Sequence, residues 1–417
     1  MKKITITNGY TWYNKGDAGI LLGTVNAIKE IFGENIEINI LSFTPDEDKK
    51  RYCKDSIIKD VYSNVLNPYP FKKTFWGKKL AILKLFTNIS INYLNINLLK
   101  DRFVENNENI KILKESDLIV VCGGGFLGGK KFNSFMHLYQ MYINSKFDKP
   151  VILWGTSIEP FKNNIVKYFT EKQLNNLTHI FPRETITYDY LKESDIKEDK
   201  FTIIPDMAFM LENKDEKFEF INKLRDEFDC LFGLTVREWS FPNVENAGKA
   251  KENYINAICE TIIEFSEEKN AVFIFIPQVI FEGDDDSIVA NEIRDRLPKK
   301  YKKHFIINKE DWSPVQIKSI IGNFDMFVGT RMHSNIFATS MAVPTVAIAY
   351  EKKTNGIMET VGLSDYIVEI DTITSKELID KINKCYKNRE FIHQSLEKRI
   401  LEVREEILNK SEFIKEL

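Results

Sequence analysis

Cysteine is scarce in this chain. Its 417 residues hold five (Cys53, Cys122, Cys230, Cys259, Cys385), an odd number, widely spaced, mostly inside apolar runs and without a C-x-x-C pair. That usage excludes a disulfide framework and reads as buried thiols in a reducing compartment. Long apolar runs are missing too: none approaches the roughly 20 residues of a membrane-spanning helix. After the basic Met1-Lys-Lys, the next residues, Ile-Thr-Ile-Thr-Asn-Gly, are too polar for a signal-peptide core. The protein is therefore expected in the cytoplasm. Neither sign of charge is in large excess, the formal net charge being −3. Binding a phosphate backbone needs a strong basic footprint, so no nucleic-acid partner is expected and functional positive charge must be local.

What is present is an α/β grammar. With 43% hydrophobic residues, 417 positions suffice for two cored domains, since single cores rarely grow past about 250 to 300 residues. Short apolar strands alternate with longer amphipathic segments, the pattern of parallel βαβ units. The first half offers strands at Ile4–Thr7, Ile36–Leu41, Leu118–Cys122 and Val151–Trp154, with shorter ones near Ile180 and Ile203. The second half restarts at Leu231–Val236, Val272–Ile276, Phe305–Ile307, Met326–Val328 and Val346–Ala349. Between them the polar stretch from Glu212 to Lys217 is the best boundary, giving Rossmann-like domains over 1–210 and 211–417. A helix over Lys251–Lys269 places Tyr254, Ile258, Ile262 and Phe265 on one face. The charged tail from Lys376 to Leu417 reads as surface helices.

One segment breaks the rhythm. Between Tyr69 and Arg102, seven Lys or Arg face one Asp and are interleaved with Phe71, Phe75, Trp76 and Phe86. This composition suits a lid or a peripheral membrane contact, but the plainer reading is an inserted helical pair packed on the first domain.

The candidate chemistry lies where strands hand over to helices. Strand Met326–Val328 ends at Gly329, and Arg331 and His333 follow just before the apolar face of Ile336, Phe337 and Met341. A helix N-terminus carries unpaired N–H groups and partial positive charge, so an anion is favoured there, and Ser334 and Asn335 offer capping side chains. Strand Ile4–Thr7 runs into Asn14-Lys15-Gly16-Asp17, where Asp17 either caps the helix or projects at the carboxyl edge that binds ligands in open α/β sheets. No G-x-G-x-x-G follows that strand, which argues against a nicotinamide site. Strand Leu118–Cys122 ends in the run Gly123-Gly124-Gly125, read as a loop of close ligand approach or a tight turn. Arg183 and Arg237 follow strand-like segments; each either pairs with its neighbouring Glu or points a guanidinium fork at a carboxylate or phosphate.

In order and spacing these pieces resemble the polysaccharide pyruvyl transferase family over roughly Asn8 to Gly356. The resemblance rests on Asn14-Lys15-Gly16-Asp17-Ala18, Gly123-Gly124-Gly125, Arg183-Glu184, Ile204-Pro205-Asp206, Thr235-Val236-Arg237 and Ile276-Pro277-Gln278-Val279. Above all it rests on Gly329 through Ile336, with Val343-Pro344 and Ala349 through Lys353. It implies two facing Rossmann-like domains of GT-B-like architecture with an interdomain cleft. It also implies transfer of pyruvate from phosphoenolpyruvate to a sugar hydroxyl pair of a capsular or exopolysaccharide, or of its lipid-linked precursor, at the inner face of the cell membrane. Phosphoenolpyruvate is then the donor substrate, with no cofactor and no metal. The catalytic set is His333, Asp17 and Arg331. Binding residues are Arg183, Arg237, Ser334, Asn335, Asn14, Gly124, Gly125, Gln278 and Lys353, with the donor on the second domain and Asp17 on the first. The rival is a nucleotide-sugar glycosyltransferase of the same architecture. Against it, a basic pair stands at Arg331-Met332-His333, where retaining enzymes of that class place a Glu.

Overall fold

A computed structural model describes residues 1–54, 57–64, 87, 104–129, 134–161, 163–214, 216–281 and 284–417. The basic aromatic segment 69–102 lies outside the described residues apart from Thr87. The chain forms two compact units. The first comprises Met1–Trp12, Ile20–Met207 and Ile407–Leu417; the second comprises Tyr13–Gly19 and Ala208–Glu406.

In the first unit the strands are β1 (Lys2–Gly9), β2 (Ile36–Ser42), β3 (Ile58–Ser63), β4 (Leu118–Gly129), β5 (Val151–Phe161) and β6 (His179–Pro182). They pair in parallel in the order β3-β2-β1-β4-β5-β6. The second unit has β7 (Cys230–Thr235), β8 (Ala271–Phe275), the two-residue antiparallel pair β9 (Ile280–Phe281) and β10 (Asp284–Asp285), then β11 (Phe305–Ile307), β12 (Met326–Gly329), β13 (Thr345–Ala349) and β14 (Ile367–Glu369). Its main sheet is also parallel, ordered β11-β8-β7-β12-β13-β14. Counted within its own unit, each sheet runs 3-2-1-4-5-6, the dinucleotide-fold order, and each therefore has a switch point beside its first strand. The central strands of the second sheet are buried along their whole length because helices cover both faces: every residue of β7, β8, β12 and β13 is buried.

Four expectations change. The glycine run after Cys122 is strand: β4 continues to Gly129, with register irregularities between Gly124 and Leu127 and between Leu127 and Gly129. A Cβ at Gly123 would stand 2.1 Å from the Trp154 carbonyl oxygen, so only glycine lets β4 and β5 approach there. Near Ile203 there is only an isolated bridge from Phe201 to Ile180. The tail is two helices, Ser375–Lys387 and Arg389–Ser411, but its end is core, not surface. Ile407, Ser411 and Ile414 are fully buried, Trp154 Nε1 donates to Ser411 Oγ (3.2 Å), and Lys410 Nζ donates to the Ile203 carbonyl (2.9 Å). Finally, Tyr13–Gly19 groups with the second unit, carrying Asp17 away from the first-domain position expected for it. The reason is pairing: Asn14 bridges Val279, and Ile280 N donates to the Tyr13 carbonyl (3.3 Å).

Candidate functional site

The second unit's switch point lies between β7 and β12, whose carboxyl ends are in register at Thr235 and Gly329. Thr235 ties them together. Its Oγ1 accepts from Thr330 N (3.1 Å) and shares a hydrogen bond with Ser334 Oγ (2.8 Å). Ser334 Oγ also donates to the Arg331 carbonyl (2.6 Å), and Asn335 Nδ2 donates to the Gly329 carbonyl (3.2 Å). Ser334 and Asn335 are therefore not the caps that the sequence suggested. Arg331 is itself the N-cap of helix Met332–Ser340, and these two fully buried side chains fix the strand-to-helix corner. Tyr254 completes it: its hydroxyl meets Thr330 Oγ1 (2.9 Å) and accepts from Arg237 N (3.4 Å). Burial pushes this phenol well above its ordinary pKa, so it stays a hydroxyl.

Around the corner, three sequence motifs far apart in the chain close a ring of contacts. Lys15 N donates to the Gln278 carbonyl (2.8 Å). Gln278 N donates to Asp286 Oδ2 (3.1 Å). The other carboxylate oxygen of Asp286 accepts from Arg331 Nε (2.9 Å) and Nη2 (2.5 Å). Two residues on, His333 lies over Gly16, where an added Cβ would stand 2.4 Å from Nδ1. Glycine at position 16 is what lets the imidazole sit against the first turn of helix Lys15–Phe32. Asn14 caps that turn, accepting from Asp17 N (3.3 Å) and donating from Nδ2 to Asp17 Oδ2 (2.6 Å). Lys15 is 1% exposed and pairs with Asp311 at 2.5 Å. Gln278 is 2% exposed, and neither polar atom of its side chain has a hydrogen-bond partner among the described residues. A buried amide in that state points to a ligand or ordered water.

Arg331 differs from expectation in one respect. It is 8% exposed and bound to the fully buried Asp286, so its charge is met within the protein and its guanidinium is held rigid. Asp286 was invisible from sequence because it is one acid in a run of three, 45 residues from its partner. Arg237 follows β7 with its guanidinium over Tyr350 (4.2 Å to the ring centroid) and Trp239 (5.0 Å). Its Nε donates to the Glu238 carbonyl (3.3 Å), but the Glu238 carboxylate pairs with Lys251 instead (2.9 Å). Lys353, after β13, pairs with Glu351 at 2.5 Å. Among the described residues no cluster of three or more His, Cys, Asp or Glu side chains is placed to hold a metal.

In the first unit, Arg183 follows β6 and is 7% exposed. It pairs not with Glu184 but with Asp206 (2.6 Å), and donates from Nε to Ser157 Oγ (2.7 Å). Burial opposes its charge, yet the carboxylates of Asp206 and Glu184 carry its pKa above the usual value. Gly124 has φ 138°, and a Cβ there would meet the Tyr10 hydroxyl at 2.1 Å; Gly125, beside it in β4, is half-buried. The contacts above thus bring together Asn14, Asp17, Gln278, Arg331 and His333, with Ser334 and Asn335 beneath them. Arg183, Gly124 and Gly125 belong to the other unit.

The sequence profile of a family described as polysaccharide pyruvyl transferase matches residues 14–352. The amylovoran biosynthesis protein AmsJ of Erwinia amylovora is 21% identical over 415 residues, covering 94% of each chain. Among solved structures, Anabaena Alr3699/HepE in complex with UDP and glucose aligns over 100% of both chains at 14% identity and a TM-score of 0.59. A UDP-GlcNAc 2-epimerase from Methanocaldococcus jannaschii aligns over 92% of both at 17% identity and 0.55. At such identities the likeness is one of fold alone, a GT-B-like pair of Rossmann-like domains.

Proposed function

The chain belongs to the polysaccharide pyruvyl transferase family, and from that premise we propose that it moves pyruvate from phosphoenolpyruvate onto two hydroxyls of one sugar. The product is a pyruvyl ketal and the leaving group is phosphate. The acceptor belongs to a capsular or exopolysaccharide, or to its lipid-linked precursor, and is met at the inner face of the cell membrane; the AmsJ relative, named for amylovoran biosynthesis, supports a polysaccharide acceptor. Phosphoenolpyruvate is the donor substrate and no cofactor is invoked.

What carries this reading is the ring that joins Lys15-Gly16, Gln278 and Arg331–His333 at the second unit's switch point. A donor with both a carboxylate and a phosphate needs several fixed hydrogen-bond donors. The N-terminus of helix Met332–Ser340, the guanidinium held by Asp286 and the amide of Gln278 supply them without reorganising. Protonation of the donor's methylene carbon makes an oxocarbenium-like centre. One sugar hydroxyl adds there and gives up its proton; the second then displaces phosphate, and its proton leaves with the phosphate or buffer. His333, an imidazole with a reference pKa of about 6.5, is the acid and base for these transfers. Asp17, next to Gly16, is assigned to orient or deprotonate the acceptor.

The test is phosphate release. Wild-type protein with phosphoenolpyruvate and a matching polysaccharide repeat is expected to release phosphate, and His333→Ala to lose at least about a hundredfold in rate. Wild-type rates in His333→Ala, or turnover of a UDP-sugar in place of phosphoenolpyruvate, would reject the assignment.

A further inference from the structure

A wall of aromatic rings and one guanidinium stands beside the strand-to-helix corner of the second unit. In that sheet β12 lies between β7 and β13. Arg237, just past β7, stacks on Tyr350, just past β13, so their contact spans the end of β12 from which Thr330 and Arg331 emerge. Trp239 joins the wall, its ring centroid 4.9 Å from that of Tyr350. Both rings are half-buried. The loop that carries Trp239 is pinned by Phe241, which has φ 49°, a left-handed backbone that bulky residues rarely adopt. Its ring is 2% exposed and lies 6.5 Å from that of Tyr254.

Around this wall, polar groups go unmet. Trp239 Nε1, Thr354 Oγ1, Asn355 Oδ1 and Asp371 Oδ1 are buried atoms without a hydrogen-bond partner among the described residues, and Thr354 is fully buried. They sit on neighbouring pieces of chain: Asn243 Nδ2, in the loop of Trp239, donates to Asp371 Oδ2 (3.4 Å), and Asn355 Nδ2 donates to Glu369 Oε1 (2.8 Å). Such a concentration points to a ligand or ordered water. The indole N–H can only donate, whereas the amide and carboxylate oxygens can only accept. Hydroxyls, which do both, would meet them all. Charge narrows the ligand to a neutral one. An anion would meet the carboxylates of Asp371 and Glu369, and a metal cation would meet the Arg237 guanidinium; Glu351 and Lys353 pair with each other (2.5 Å), as do Glu238 and Lys251 (2.9 Å). Half-buried aromatic rings with a few fixed polar groups are the usual lining of a small-molecule site, and a pyranose has an apolar C–H face to lay on the rings and a rim of hydroxyls. We propose that Trp239 and Tyr350 stack against one face of an uncharged sugar ring, whose hydroxyls bond Asp371, Asn355 and the indole N–H. That this sugar is the acceptor rests on the function proposed above; it then lies in the same unit as Asp17 and His333.

Saturation-transfer NMR of the full chain with methyl glucoside, methyl galactoside and methyl mannoside, in the absence of phosphoenolpyruvate, tests the site without an activity assay. Wild-type protein is expected to saturate the protons on one face of at least one of these hexosides. Trp239→Ala should weaken that binding about tenfold, and Trp239→Phe should keep most of it, since a ring remains to stack. Asp371→Ala should weaken it as well. In the phosphate-release assay Trp239→Ala should raise the acceptor KM about tenfold and leave that of phosphoenolpyruvate unchanged, a split that loss of folding would not produce. Hexoside binding without any phosphate release would leave this site standing and count against the reaction alone. No saturation of any hexoside, equal saturation by wild type and Trp239→Ala, or binding of uridine in place of the hexosides overturns the proposal.

Discussion

At the scale of single residues, Arg331 is a structural residue whatever its part in the proposed site. It and Asp286 form a buried pair, and removing one partner of such a pair costs about 3 to 5 kcal/mol because the other charge is left unmet. Arg331→Ala should therefore lower unfolding free energy by about that much. The double variant Arg331→Met, Asp286→Asn keeps an acceptor for the amides of Gln278 and Val279 and buries no charge, so it should recover most of the stability in a denaturant melt without recovering turnover. Recovery of turnover as well would leave Arg331 a purely structural residue. The sequence displayed Arg331 and His333 plainly, two basic groups between a buried strand and an apolar helix. It hid their neighbours. Gly16 is adjacent to His333 only through the fold, and Asp286 carries no local signal that separates it from Asp284 and Asp285.

At the scale of elements, the buried strands were legible as apolar runs, as were the edge strands β6, near Ile180, and β11 (Phe305–Ile307), but the edge strands β3 and β14 were not. Strand β3, Ile58-Lys-Asp-Val-Tyr-Ser, buries only Ile58 and Val61 at the border of its sheet, and β14 is only three residues long; neither has the apolar run that identifies a buried strand. Helix Ala247–Lys269 was legible, since Tyr254, Ile258, Ile262 and Phe265 are buried along one face as the spacing predicts. Helix Ser134–Asn144 carries a feature that spacing does not convey. Its His137 stacks on Phe126 (4.1 Å between centroids), and burial lowers its pKa to about 3. The unfolded chain takes up a proton on this imidazole near its ordinary value of about 6.5, whereas the folded one refuses it until about 3. Stability contributed here is intact above the ordinary value and lost progressively as pH falls from about 6.5 toward 3. His137→Phe, which keeps the stacking, should flatten this acid limb in melts taken from neutral to acid pH. An unchanged slope would mean that other groups, His179 among them, dominate it.

At the scale of the whole molecule, the chain repeats one strand order twice. It then exchanges two pieces: Tyr13–Gly19 groups with the second unit and Ile407–Leu417 with the first. Composition and rhythm announced the two repeats, but the exchanges depend on pairings such as Asn14 with Val279 and Trp154 with Ser411, which no periodicity encodes. The first exchange brings the Asn14–Asp17 motif beside His333 within one unit, as the proposed site requires. The central claim is that this unit's switch point binds phosphoenolpyruvate, and a ligand-induced stability shift measures that most directly. At a hundredfold over its dissociation constant, phosphoenolpyruvate should stabilise the wild-type protein by about 2.7 kcal/mol, and should leave the Arg331→Met, Asp286→Asn variant unshifted. No shift with phosphoenolpyruvate at any attainable concentration, alongside a clear shift with a UDP-sugar, would contradict the account.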